Sequence, residues 1–168
     1  MVSANHRPVM ETRDRSPVYA RSLIRFVSRC NLRASVQDEP RGQIETGRCS
    51  VKILVVDDSG GMRDHIRRAV EKANAGQHSF VEAENGVEAL KKVLIEKPDL
   101  VISDWYMPEM SGLALLRAIR ANGSKVPFGI ITADTSAEVE TQATQAGADF
   151  VIRKPFTAAK FNEVLAKL

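Results

Sequence analysis

The chain has 168 residues, 43% of them hydrophobic and 27% charged, which suits one globular domain with room for an extension. Its formal charge of +3 is uneven: residues 1–50 hold nine Arg and no Lys against five acids, whereas residues 51–168 hold 15 basic and 16 acidic residues, so the basic pI describes the first fifty residues and a basic nucleic-acid-binding domain is disfavoured beyond them. No apolar run approaches the ~20 residues of a membrane helix, and both cysteines, Cys30 and Cys49, precede residue 51, which excludes a disulfide framework or a Cys-based zinc site after it.

Residues 1–50 read as an Arg-rich extension, disordered or holding one short helix. Pro8, Pro17 and Pro40 and the polar run Gln37–Gly42 break any sustained pattern. Within Tyr19–Leu32, however, Leu23, Phe26, Val27 and Cys30 recur at helical spacing with Arg21, Arg25 and Arg29 between them, a short amphipathic helix suited to an acidic partner or a membrane surface. The Arg-rich, Lys-free composition also resembles an organelle transit peptide, while a secretory signal is disfavoured because no apolar stretch precedes a small-residue cleavage site. An ordered pattern begins abruptly at Val51, which supports a further reading in which the natural chain starts there.

From residue 51 the pattern is regular. Val51–Val56 is a β-branched apolar run ending in Asp57-Asp58. Met62–Ala75 carries Ile66, Ala69, Val70 and Ala73 at helical spacing, with Gly76 as a stop. A short strand at Phe80, Val81 and Ala83 precedes a helix over Gly86–Ile95, with Val87, Leu90 and Leu94 on one face and Pro98 closing it. Leu100–Ile102 is a strand ending at Ser103-Asp104, followed by a helix over Gly112–Ala121 and then Gly123. Phe128–Ile131 is a strand ending at Thr132, and Ala137–Ala146 a weaker helix stopped by Gly147. Phe150–Ile152 is a strand ending at Lys154-Pro155, and Thr157 caps a last helix running to Leu168.

Five βα units in sequence imply an α/β fold: a doubly wound, five-stranded parallel sheet with helices on both faces. In such sheets, sites lie outside the carboxyl ends of the strands. The residues found there are Asp57 and Asp58 after strand 1, Asp104 after strand 3, Thr132 after strand 4 and Lys154 after strand 5. Three carboxylates that converge on one edge repel unless a cation sits among them. An octahedral Mg²⁺ suits that oxygen-only set. Lys154 adds a second cation to receive a phosphoryl oxygen, and Thr132 a hydroxyl. Such a site suits phosphoryl transfer onto a carboxylate, a reaction that needs positioning and charge neutralisation above all. Singly, each residue has a plainer role: Asp58 or Thr132 as a helix cap, Lys154 as a solvated loop residue. Their joint order is far more specific.

The blocks Val55-Val56-Asp57-Asp58, Ser103-Asp104-Trp105-Tyr106-Met107-Pro108-Glu109-Met110-Ser111-Gly112, Ile131-Thr132-Ala133 and Lys154-Pro155-Phe156 resemble the receiver domain of bacterial two-component response regulators, in the style of the single-domain chemotaxis regulators. The resemblance spans residues 51–168. It implies the flavodoxin-like strand order 2-1-3-4-5 and Asp104 as phosphoacceptor from a sensor histidine kinase or phosphotransfer protein. It further implies Mg²⁺ held by Asp57, Asp58, Asp104 and the backbone carbonyl of Tyr106. Lys154 then pairs with Asp104 and with the phosphoryl group, Thr132 is the switch hydroxyl, and the Lys154–Pro155 peptide is cis. The implied protein is cytoplasmic, without a membrane span, and catalyses only its own phosphorylation and dephosphorylation. With no output domain after Leu168, a stand-alone regulator is expected, signalling through the helix 4–strand 5–helix 5 surface to a protein target without direct DNA binding.

Three departures from the family pattern stand out. The aromatic switch position, three before the Lys, is Val151, while Phe150 should face the other side of its strand. Gly60-Gly61 replaces the usual Ser or Thr cap of the first helix, at small cost. Gly129 lies inside strand 4 and is expected to loosen packing there. Tyr106, two residues past the acceptor, is expected to shield the phosphoryl group from water. The same inventory also fits an Asp-nucleophile, Mg-dependent phosphatase of the haloacid dehalogenase type, although that class carries Asp-x-Asp rather than adjacent acids, together with a cap domain. A dinucleotide-binding module is disfavoured because no G-x-G-x-x-G follows the first strand.

Overall fold

The computed structural model describes residues 50–73 and 77–166. The expected extension up to residue 49, the stop at Gly76 and the last two residues of the final helix lie outside the described residues. Among the described residues, five strands alternate with five helices: β1 (Val51–Val56), α1 (Gly60–Ala73), β2 (His78–Ala83), α2 (Gly86–Glu96), β3 (Leu100–Asp104), α3 (Gly112–Ala121), β4 (Phe128–Thr132), α4 (Ala137–Ala146), β5 (Phe150–Arg153) and α5 (Ala158–Leu165). All strand pairs are parallel, and the sheet order is β2-β1-β3-β4-β5.

Successive side chains of a strand face opposite ways, so each strand feeds two cores. On one face Leu54, Val56, Val101, Phe128 and Ile130 pack with Leu113, Leu116 and Ile119 of α3, Ala89 and Val93 of α2, and Val139 and Ala143 of α4. On the other, Ile53, Val55, Leu100, Ile102, Ile131 and Ile152 pack with Ile66 and Val70 of α1 and Phe161 and Val164 of α5. The central strands β3 and β4 are buried along their whole length. This double coverage is why they read as continuous apolar runs rather than as alternating ones.

Several local expectations are corrected. In α2 the buried positions are Gly86, Ala89 and Val93, with Leu90 partly covered, whereas Leu94 and Ile95 are exposed. The small residue at 89 sets the face that docks on the sheet, and the larger leucines flank it. Helix α1 begins at Gly60 and is preceded by a serine after all: Ser59 accepts from Met62 N through its hydroxyl at 3.4 Å, while its carbonyl accepts from Arg63 N. Thr157 does precede α5, but its hydroxyl makes no capping bond.

Gly129 does not loosen strand β4. It pairs with Phe150 of β5, and a Cβ on it would stand 2.1 Å from Cε2 and Cζ of that ring. The missing side chain is filled by the phenylalanine, whose ring packs on the α1–α5 core. Val151, one residue on, faces the opposite core beside α4, as strand alternation requires.

Candidate phosphoryl-transfer site

The carboxyl ends of β1, β3, β4 and β5 bring together Asp57, Asp104, Thr132 and Lys154, with Asp57 and Thr132 almost wholly buried. The centre is an ion-pair triad. Lys154 Nζ lies 2.7 Å from Asp104 Oδ1 and 3.3 Å from Asp57 Oδ2, with side chains only 21%, 10% and 2% exposed respectively. Burial is therefore combined with charge pairing, the condition under which a buried charge is tolerated. The Lys154–Pro155 peptide is cis.

The electrostatics follow from this crowding. Burial pushes the Asp57 carboxyl above its usual pKa, and the neighbouring charge of Asp104 adds to the rise. Both outweigh the lowering by the Ser59 N–H bond and by Lys154. For Lys154, burial favours the neutral amine, but the hydrogen bond and charge of Asp104, then of Asp57, more than offset it and hold its pKa above the usual lysine value. The ammonium is thus charged at neutral pH, and it is the only side-chain cation within ion-pair distance of these two carboxylates among the described residues.

Asp58 does not join this cluster. Asp57 is buried, whereas Asp58, in the bend beyond the end of β1, is exposed, and among the described residues no three acidic, His or Cys side chains form a metal-holding group. The convergence of three carboxylates expected from the sequence is thus one of two carboxylates around one ammonium. The donor set is all oxygen on the anionic side, which still fits a hard divalent cation held by one or two carboxylates, a carbonyl and waters.

The loops around the triad are shaped by specific contacts. Gly112 is needed where α3 begins, because a Cβ there would stand 2.1 Å from the carbonyl oxygen of Asp104. Ser103 Oγ donates to that same carbonyl at 2.9 Å, and Gly112 N donates to the carbonyl of Trp105. The Trp105 side chain is buried in the α3-side core. On β4, Thr132 Oγ1 accepts from Asp134 N at 3.0 Å. Asp134 then accepts from Ser136 N at 2.8 Å and, on its other oxygen, from the Tyr106 hydroxyl at 3.3 Å. The Tyr106 ring is exposed and so spans from the loop after β3 to the loop after β4. Sequence reasoning missed Ser59 and Asp134: the capping bond of Ser59 to Met62 N and the bond of Asp134 to Ser136 N are local patterns that capping and turn chemistry could have found, whereas the Tyr106–Asp134 bond joins two loops and leaves no local signal.

The sequence model of the response regulator receiver domain matches residues 53–166. The chain belongs to that family. It is 35% identical over 119 residues to the response regulator MprA of Mycobacterium bovis and, to the same extent, to MprA of Mycobacterium tuberculosis; the match covers 71% of this chain and 49% of theirs. The chain thus spans about half the length of the curated relatives it matches. Among solved structures, the chemotaxis protein CheY4 of Vibrio cholerae is 30% identical with a TM-score of 0.60, covering 71% of this chain and 95% of that one. The receiver domain of the response regulator NarL from M. tuberculosis is 27% identical with a TM-score of 0.64, covering 70% and 94%. Receiver domains are signalling modules rather than enzymes of general metabolism, which decides against the phosphatase alternative. No helix among the described residues is long and apolar enough to cross a membrane.

Proposed function

We propose that this receiver accepts a phosphoryl group on Asp104 from the phosphohistidine of a sensor kinase or phosphotransfer protein. The observation that carries the reading is the triad: an ammonium 2.7 Å from one buried carboxylate and 3.3 Å from another, at the sheet edge where α/β sites form. A carboxylate oxygen of Asp104 attacks phosphorus, the O–P bond forms, and the N–P bond of the donor imidazole breaks with its electron pair returning to nitrogen. Lys154 is placed to follow the incoming negative charge, and Asp57 remains behind as an anionic anchor. Asp57, Asp104 and the carbonyl of Tyr106 are the groups that would hold Mg²⁺, which would supply neutralisation of charge on the phosphoryl oxygens.

Phosphorylation adds about −1.5 to −2 charge and three strong acceptors. Those acceptors compete for Lys154 and take the Thr132 O–H as a donor, while Thr132 Oγ1 itself accepts from Asp134 N. Drawing Thr132 toward the phosphoryl oxygens pulls on that bond and shifts the loop after β4 and with it the α4–β5–α5 surface, a population shift between two arrangements. Val151 places no ring on the α4 face of β5, so this chain couples site to surface through Thr132 and Lys154 without an aromatic rotamer at that position. An open depression lined by Glu140, Val151, Arg153, Phe156 and Lys160 among others lies on that surface. The near-neutral charge of residues 51–168 favours protein over direct DNA contact by this domain. Its place of action is expected to be the cytoplasm.

The test is labelling by acetyl phosphate. Wild type should incorporate one phosphoryl group per chain only with Mg²⁺, and Asp104→Asn none; incorporation unaffected by Asp104→Asn overturns the assignment.

A further inference from the structure

Arg63, in the first turn of α1, is only 12% exposed, although the two acids it meets, Glu82 and Glu84, are 45% and 71% exposed. All three of its guanidinium nitrogens are engaged. Nη1 donates to the backbone carbonyl of Asp57 at 2.8 Å, Nε to Glu82 Oε2 at 2.8 Å, and Nη2 to Glu84 Oε1 at 3.3 Å. Asp57 is otherwise held by its own N–H on Ala83 O at 3.2 Å and by Ser59 N on Oδ1 at 2.9 Å. The residue is therefore fixed at its amide, its carboxylate and, through Arg63, its carbonyl. A surface ion pair needs no buried guanidinium and no backbone partner; this one has both.

We propose that Arg63 is a positioning residue for the acidic loop after β1. By tying the Asp57 carbonyl to the end of β2, it presets Asp57 for a divalent cation. Lys cannot replace it, because a single ammonium does not span one carbonyl and two carboxylates as the planar guanidinium fork does. Groups that orient ligands are worth about 10–100-fold in metal affinity. The inference rests on the cation-binding reading of this site.

The sign of the effect separates positioning from charge. Removing a cation beside the acids tightens Mg²⁺ by Coulomb's law alone; removing the clamp loosens it. Mg²⁺ affinity is measured by calorimetry, and by the fluorescence of Trp105, the chain's single tryptophan, well below the melting temperature, for wild type, Arg63→Gln and Arg63→Lys. About tenfold weaker binding is expected for Gln and a smaller loss of the same sign for Lys. If the Gln variant does not fold, the Lys variant, which keeps charge and stem, carries the test. Wild-type binding with equal or tighter binding by the folded variants overturns the role of Arg63 alone. Absence of Mg²⁺ binding by wild type overturns the cation-binding reading and this inference with it.

Discussion

Replacing Gly129 by alanine probes the cross-strand fit between β4 and β5. The added Cβ would stand 2.1 Å from two carbons of the Phe150 ring and 2.8 Å from a third. Ordinary carbon contacts run at about 3.5–4.0 Å, so the ring edge must retreat by roughly 1.5 Å. Phe150 packs on the α1–α5 core, and moving it gives up part of that contact. Overpacking of this kind costs about 1–3 kcal/mol, while replacing a strand-interior glycine gains about 0.5–1 kcal/mol through backbone entropy. The expected net loss is about 1 kcal/mol in the wild-type background. In a Phe150→Ala background the clash is gone, and the same substitution should stabilise by about 0.5–1 kcal/mol. The coupling is then about 2 kcal/mol, within the range for residues in contact. Urea unfolding of the four proteins of the cycle measures it: Gly129→Ala should lower the midpoint by about 0.5 M alone and raise it beside Phe150→Ala. An alanine that stabilises both backgrounds equally would refute the fit.

Removal of Lys154 leaves two buried carboxylates facing each other. Lys154→Ala should therefore lose about 2–3 kcal/mol in metal-free buffer at pH 7, with most of it recovered by saturating Mg²⁺; thermal melts showing equal Mg²⁺ stabilisation of variant and wild type would contradict this. Glu88 in the first turn of α2 accepts from Lys92 Nζ and from Glu84 N, in that order of effect, which hold its pKa below the usual glutamate value. A lowered folded pKa stabilises above the usual range and fades as pH falls through the folded value. Glu88→Gln should cost about 0.5 kcal/mol at pH 7, small because the pair is partly solvated, and nothing once the pH is below the lowered folded value. A loss independent of pH would argue against the charge pairing. Tyr106 reaches Asp134 across the site, so decay of the phosphorylated protein should be faster in Tyr106→Ala than in wild type, with Tyr106→Phe between them because it keeps the ring but loses the bond. Equal decay in all three would show that only the Tyr106 carbonyl matters.

The order of elements and the place of the site were legible in the sequence because both are local. Apolar runs such as Leu100–Ile102 and helical spacings such as Ile66, Ala69 and Val70 encode strand and helix directly. Parallel β-strands joined by helices then oblige the residues after each strand to share one edge, which is how Asp57, Asp104, Thr132 and Lys154 are selected together. The tertiary structure decided what depends on register and reach. It placed Asp57 in the triad and left Asp58 exposed in the bend beyond β1, where strand alternation no longer sets direction. It set Phe150 over Gly129, since pairing of β4 with β5 joins positions 21 residues apart. It also gave Arg63 its role through Glu82 and Glu84 on another segment, and joined Asp134 to Tyr106 across two loops; the chain's own periodicity carries no record of such partners.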